Sequence, residues 1–212
     1  PRLIRKIEPQ SQAILQTFLP GNFGGDALAD ILMGDVNPSA KLPYTYPRFE
    51  QGLITYDYKP SQNIDGKMDG VYDYGAQTSV QYPFGFGLSY TSFAYSNLKT
   101  DKTQFASGDV ITVTVDVKNT GAVKGKEPVL LFSRDMVASI TPDIRRLRAF
   151  DKIELNPGET KTVSFKLKAD DLAFVNENGK WTLEQGEFML QAGDASAKIM
   201  CSKTRVWTSP NR

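Results

Sequence analysis

Val110-Ile111-Thr112-Val113-Thr114-Val115-Asp116-Val117-Lys118 is the stretch whose reading decides the fold. Ile111, Val113, Val115 and Val117 fall on one side and Thr112, Thr114, Asp116 and Lys118 on the other. That period of two belongs to a strand with one dry face and one wet face. Downstream, Asn119-Thr120-Gly121 reads as a turn, and Val129-Leu130-Leu131-Phe132 as a strand buried on both sides. Ile153-Glu154-Leu155, the turn Asn156-Pro157-Gly158-Glu159 and the alternating run Lys161 to Leu167 form a strand, turn and strand. Phe188 to Ala192 and Ala197 to Cys201 add two more. Six or seven short strands separated by turn signals predict a Greek-key sandwich of immunoglobulin or fibronectin type.

Upstream of residue 90 the pattern changes. Leu3, Ile4 and Ile7 form a brief strand-like run, and Ser11 is placed to cap a helix carrying Ala13, Ile14, Leu15 and Phe18, stopped by Pro20-Gly21. Gly24-Gly25-Asp26 opens a second helix with Ala27, Leu28, Ile31 and Leu32 on one face and Gly34 at its end. Asn37-Pro38-Ser39 turns the chain, and Leu42 to Pro47 is extended because its prolines disfavour helix. From Arg48 to about Val80 no period survives, so a long surface excursion pinned by aromatics is expected. All nine tyrosines lie between Tyr44 and Tyr95. Residues 1–90 carry 7 basic and 9 acidic side chains, the remainder 18 and 15. The expected organisation is 1–47 as terminal helix-strand elements of an α/β sandwich, 48–91 as an aromatic loop and junction, and 92–212 as an all-β sandwich.

Composition narrows the function. The 212 residues hold 25 Lys and Arg against 24 Asp and Glu, which offers no field for nucleic acid or an anionic membrane. No apolar run is long enough to span a bilayer. Histidine is absent, which removes Ser-His-Asp and Cys-His triads and His-ligated zinc. Cys201 is the single cysteine, so no internal disulfide forms, and its strand-like setting suits a packing residue. The first residues, Pro1-Arg2-Leu3-Ile4, read as if an element were already under way, as in a piece of something longer.

Three blocks then become specific. Leu19-Pro20-Gly21-Asn22-Phe23-Gly24-Gly25-Asp26 through Lys41-Leu42-Pro43-Tyr44-Thr45-Tyr46-Pro47 resembles the end of the α/β-sandwich domain of glycoside hydrolase family 3. Tyr82-Pro83-Phe84-Gly85-Phe86-Gly87-Leu88-Ser89-Tyr90 resembles the family's junction into its fibronectin-III-like domain. Leu147-Arg148-Ala149-Phe150 and Leu155-Asn156-Pro157-Gly158-Glu159-Thr160-Lys161-Thr162-Val163 resemble that domain's own signature. The resemblance implies a retaining, exo-acting β-glucosidase-like enzyme that hydrolyses terminal β-linked glucosyl or related residues with two carboxyl groups and no cofactor. It also implies that both carboxyl groups stand in domains upstream of this chain, so no catalytic residue is assigned here and the chain alone is expected to be inactive. An extracytoplasmic location, periplasmic or secreted, follows from the same resemblance. The partners it implies are those upstream catalytic domains and the carbohydrate substrate.

Tyr56, Tyr58, Tyr72 and Tyr74 are the candidate substrate contacts, because aromatic faces suit the C–H faces of pyranose rings. The competing reading is that they staple a long loop to the domains. Tyr82, Phe84, Phe86 and Tyr90 read as junction packing, the glycines between them allowing close backbone approach. Asp57, Asp65, Asp69 and Asp73 do not have the spacing of a calcium loop, and no metal is expected. Gly24-Gly25 reads as a packing device, and Arg145-Arg146-Leu147-Arg148 as a solvated strand face or a domain-contact anchor. An alternative of another class is a noncatalytic fibronectin-III-like module binding polysaccharide or protein.

Overall fold

The computed structural model describes residues 2–50, 52, 54–60 and 80–208. It divides into two compact units, residues 1–90 and 91–212.

In the first unit, helix α1 spans Gly24–Met33 and ends at Gly34, whose backbone is left-handed at φ 87°. Glycine takes that conformation without steric cost. Asp26 lies in the first turn, where its charge favours the helix N-terminus. A Cβ on Gly24 would stand 2.5 Å from the Cβ of Pro20, so this glycine lets the preceding loop close onto the helix. The covered face is narrower than its sequence suggests. Leu28 and Ile31 are half-buried, whereas Leu32 and Met33 are 66% and 79% exposed.

Two expectations fail nearby. Leu3 to Ile7 is not a strand: it enters a turn and a short 3-10 helix, Glu8–Gln10. No helix follows Ser11, which is extended and donates its hydroxyl to the Ile7 carbonyl at 2.9 Å instead of capping. Residues 13–18 carry no regular structure, and Phe18 sits at φ 52°. A short apolar run fits a helix or a strand equally well, and this one is decided by neighbours rather than by its own period. Strand β1 (Tyr46–Pro47) pairs antiparallel with β2 (Val80–Tyr82). Residues 83–90 are tied back to 37–42. Leu42 N–H donates to the Phe86 carbonyl at 2.8 Å, Lys41 Nζ donates to the Gly87 carbonyl at 2.6 Å, and Asn37 Oδ1 accepts from Tyr90 N–H at 2.8 Å.

The second unit is built of β3 (Phe93–Thr100), β4 (Gln104–Phe105), β5 (Val110–Asn119), β6 (Gly125–Asp135), β7 (Arg146–Leu155) and β8 (Thr160–Lys168). After them come β9 (Phe174–Val175), β10 (Trp181–Leu183), β11 (Gly186–Ala192), β12 (Ala195–Cys201) and β13 (Arg205–Trp207). One sheet has the order β3-β5-β8 and the facing one β4-β12-β11-β6-β7, with a small sheet β13-β10-β9 beside them. The side chains of Ile111, Val113, Val115 and Val117 are fully buried, as the alternation of β5 requires. They pack with Val129, Leu131, Leu155, Phe165, Leu167, Phe188, Leu190 and Ile199 in one core. Each such aliphatic residue contributes about 1.5–3 kcal/mol of transfer free energy.

Two features of this unit were not visible in its pattern. Asn97 in β3 has φ 53° where the register with β5 shifts, and this irregularity breaks the alternation that would have marked the strand. Asn119, expected in a turn, is instead a fully buried junction. Its amide donates to the carbonyls of Val123 (2.8 Å) and Leu155 (3.1 Å), and its oxygen accepts from Thr91 Oγ1 (2.6 Å) and Gly121 N–H (3.1 Å). A buried amide is tolerated when its hydrogen bonds are made, as here.

Candidate functional site

The sequence directs attention to the tyrosines of the first unit. Tyr56 is half-buried and stacks on Phe84, ring centroids 4.5 Å apart at 26°. Tyr58 is half-buried too, while Tyr72 and Tyr74 lie outside the described residues. Tyr56 therefore commits one ring face to the protein. Phe84 is its stacking partner, which a reading of Phe84 as junction packing alone did not anticipate.

A second aromatic series runs through the β1–β2 ribbon. Phe18 meets Tyr44 edge-on at 6.2 Å, Tyr44 lies 5.7 Å from Tyr46, Tyr46 meets Tyr82 at 6.2 Å, and Tyr82 stacks on Phe86 at 4.7 Å. The hydroxyl of Tyr46 donates to the Arg2 carbonyl, and that of Tyr82 reaches Glu8 Oε1 at 3.4 Å. Tyr90 donates to the Ile31 carbonyl at 2.6 Å. Burial, with the charge of Glu8 beside it, pushes the Tyr82 phenol above its ordinary range, and burial with Tyr46 nearby does the same to Tyr44. The Tyr44 and Tyr82 phenols therefore stay protonated at neutral pH and are not bases.

Along the same ribbon the side-chain atoms Tyr44 Oη, Thr45 Oγ1 and Gln81 Oε1 are buried without a hydrogen-bond partner among the described residues. Thr45 and Gln81 carry no signal that could have singled them out in the sequence. Of the four loop aspartates, only Asp57 is described, and no group of three or more acidic or cysteine side chains suited to a metal occurs among the described residues.

The second unit contributes little that resembles a reactive centre. Cys201 is fully buried, and burial raises its thiol pKa, the opposite of activation. The arginine run is engaged. Arg145 lies over the Phe132 ring at 4.6 Å, Arg146 pairs with Asp143 at 2.6 Å, and Arg148 donates to Ser133 Oγ at 2.7 Å and to the Asp171 carbonyl. All of these partners lie in the second unit, so the run is fastened within the sandwich.

Residues 1–90 match the glycosyl hydrolase family 3 C-terminal domain, and residues 127–196 match the fibronectin type III-like domain. The chain belongs to glycosyl hydrolase family 3, as its C-terminal part. Among curated relatives, a β-xylosidase of Formosa agariphila is 41% identical over 204 residues, covering 96% of this chain and 28% of that protein. A periplasmic β-glucosidase of Salmonella typhimurium is 35% identical over 207 residues, covering 94% of this chain and 27% of that protein. The crystal structure of a Listeria innocua β-glucosidase in complex with gluconolactone superposes with a TM-score of 0.84 at 26% identity, over 95% of this chain and 29% of that one. This family 3 chain thus spans under a third of the length of each of them.

Proposed function

We propose that this chain is the noncatalytic C-terminal part of a retaining, exo-acting glycoside hydrolase that releases terminal β-linked glucosyl or related residues. The observation that carries the reading is the match of both regions, in order along one chain, to β-glucosidases and β-xylosidases. Such catalysis needs two carboxyl groups about 5–5.5 Å apart across the scissile bond. The upstream domains supply them in this reading, and they also cover the apolar side chains left bare in residues 1–90, such as Leu19 at 97% exposure.

Within that enzyme, Tyr56, Tyr58, Tyr72 and Tyr74 line the substrate rim without taking part in bond cleavage. The stacking of Tyr56 on Phe84 supports a rim that is held rigid. An extracytoplasmic site of action accords with the periplasmic relative. No helix among the described residues is long and apolar enough to cross a membrane.

The test is kinetic. Purified residues 1–212 are expected to leave an aryl β-glucoside intact, while a full-length enzyme carrying this chain hydrolyses it. In that enzyme, Tyr→Ala at positions 56, 58, 72 and 74 is expected to raise KM several-fold with kcat little changed, the signature of lost uniform binding worth ~1 kcal/mol. Turnover by the 212-residue chain that disappears on replacing one of its own carboxylates would overturn the placement of the chemistry. Unchanged kinetics with lower melting temperatures would make the tyrosines structural staples.

A further inference from the structure

Pro83-Phe84-Gly85-Phe86 makes a tight turn as the chain leaves β2. Phe86 N–H donates to the Pro83 carbonyl at 3.1 Å, and Gly85 has φ 82°. That is a type II turn, whose third position calls for glycine. The turn is tied on both sides to one residue of a neighbouring segment. Gly85 N–H donates to the Leu42 carbonyl at 2.9 Å, and Leu42 N–H donates to the Phe86 carbonyl at 2.8 Å. Just beyond, a Cβ on Gly87 would stand 2.5 Å from the Ala40 carbonyl oxygen, so the two backbones lie against each other. Phe84 occupies the second position of the turn, a corner whose backbone is held from both directions.

The two phenylalanines of this turn meet different partners. Phe86 stacks on Tyr82 at 4.7 Å and 13°, and Tyr82 in turn meets the buried Tyr46, so that ring belongs to the interior of the ribbon. Phe84 stacks instead on Tyr56, at 4.5 Å and 26°. Tyr56 lies in a turn outside any helix or strand. This asymmetry sets the direction of control: the ring carried by the fastened turn fixes the plane of the ring carried by the irregular segment.

We propose that Phe84 is a positioning residue, a fixed platform that sets the plane of the Tyr56 ring for stacking on a sugar ring of the substrate. It rests on the reading of Tyr56 as a rim contact. A pyranose presents a flat C–H face, and an aromatic ring covers that face only when the two planes meet. A ring already held in the required plane need not be ordered when the sugar arrives, so affinity is gained although Phe84 itself touches no substrate. The stacking is the same before and during bond cleavage. It therefore acts on KM and leaves kcat alone.

The experiment uses a full-length enzyme carrying this chain, with KM, kcat and melting temperature measured on a β-linked oligosaccharide. Tyr56→Ala tests the rim itself and should raise KM several-fold. Phe84→Leu keeps apolar bulk but removes the flat face, and should also raise KM several-fold at nearly constant kcat. Phe84→Tyr keeps the face and should bring KM back to within about twofold of wild type. In the Tyr56→Ala background, Phe84→Leu should change KM by less than about twofold, because the platform then has nothing to hold. Phe86→Leu is the control within the same turn, and should lower the melting temperature with KM unchanged. A KM unmoved by Tyr56→Ala would remove the rim reading and the platform with it. With Tyr56→Ala effective, three results would each overturn the platform alone: a KM unmoved by Phe84→Leu, effects that multiply in the double variant, or a rise in Phe86→Leu equal to that in Phe84→Leu. Should Phe84→Leu fail to fold, Phe84→Met, equally without a flat face, takes its place.

Discussion

The two units of this chain use apolar residues in opposite ways. In the second, the four branched side chains of β5 vanish into a core that the unit's own strands supply. In the first, Tyr46 is the one buried apolar side chain among the described residues, while Leu19, Phe23, Leu32 and Met33 stand in solvent. The elements described there, α1, a short 3-10 helix and a two-stranded ribbon, do not cover each other, because a sheet needs three or more strands or a packed layer to become stable. The contrast teaches that a hydrophobic pattern specifies structure only where the surface it is meant to meet is present.

The largest test of this contrast is to express the halves apart. Residues 91–208 are expected to show a single cooperative thermal transition, and residues 1–90 none. A cooperative melt of the shorter piece would break the comparison. A finer test lies within β5. Val113→Asp and Val115→Asp should each destabilise the second unit by about 4 kcal/mol or more, because each buries an unpaired charge. Thr112→Asp and Thr114→Asp should stay within about 1 kcal/mol, and Lys166, which now donates to Thr112 Oγ1 at 2.8 Å, is placed to pair with the former. Urea denaturation of the four variants reads this directly, and equal damage from both sets would mean that both strand faces are dry. The smallest effect is expected in the first unit. Leu19→Ser and Met33→Ser should leave the stability of this chain unchanged within about 0.5 kcal/mol, yet lower that of a full-length enzyme if its other domains cover these residues.

What could be read from the sequence follows the same division. The strands around Val113, Leu131, Phe165 and Leu190 were legible because alternation and turn residues agreed with a core made by the same segments. Helix α1 was legible from Asp26 to Gly34, since its stop depends on one local backbone conformation. The stretch from Ala13 to Phe18 reads as helix and is not one: its apolar residues fit two structures equally, and contacts from elsewhere in the chain, such as Tyr44 on Phe18, enter no local pattern. Asn119 was hidden for another reason. An asparagine before Thr-Gly signals a turn, and only the arrival of Val123, Leu155 and Thr91 from elsewhere turns it into a buried hub. In the candidate site, aromatic enrichment pointed to Tyr56 and Tyr58, but the face each presents depends on contacts such as that with Phe84, which no spacing encodes.

The parallel pairing of β4 with β12 has a consequence for the order in which the protein is made. Gln104 and Phe105 lie beside Met200 and Cys201, and Met200 N–H donates to the Thr103 carbonyl at 2.8 Å. The strand that enters this sheet first in the chain thus borders the one that enters it last, with nearly a hundred residues between them. During synthesis, hairpins such as β6–β7 can close as they emerge, but β4 has no neighbour until β12 has left the ribosome. Such non-local closure makes the last step slow compared with local pairing. A nascent chain arrested before Ala195 should therefore remain sensitive to protease near Phe105, and release of a few further residues should seal it.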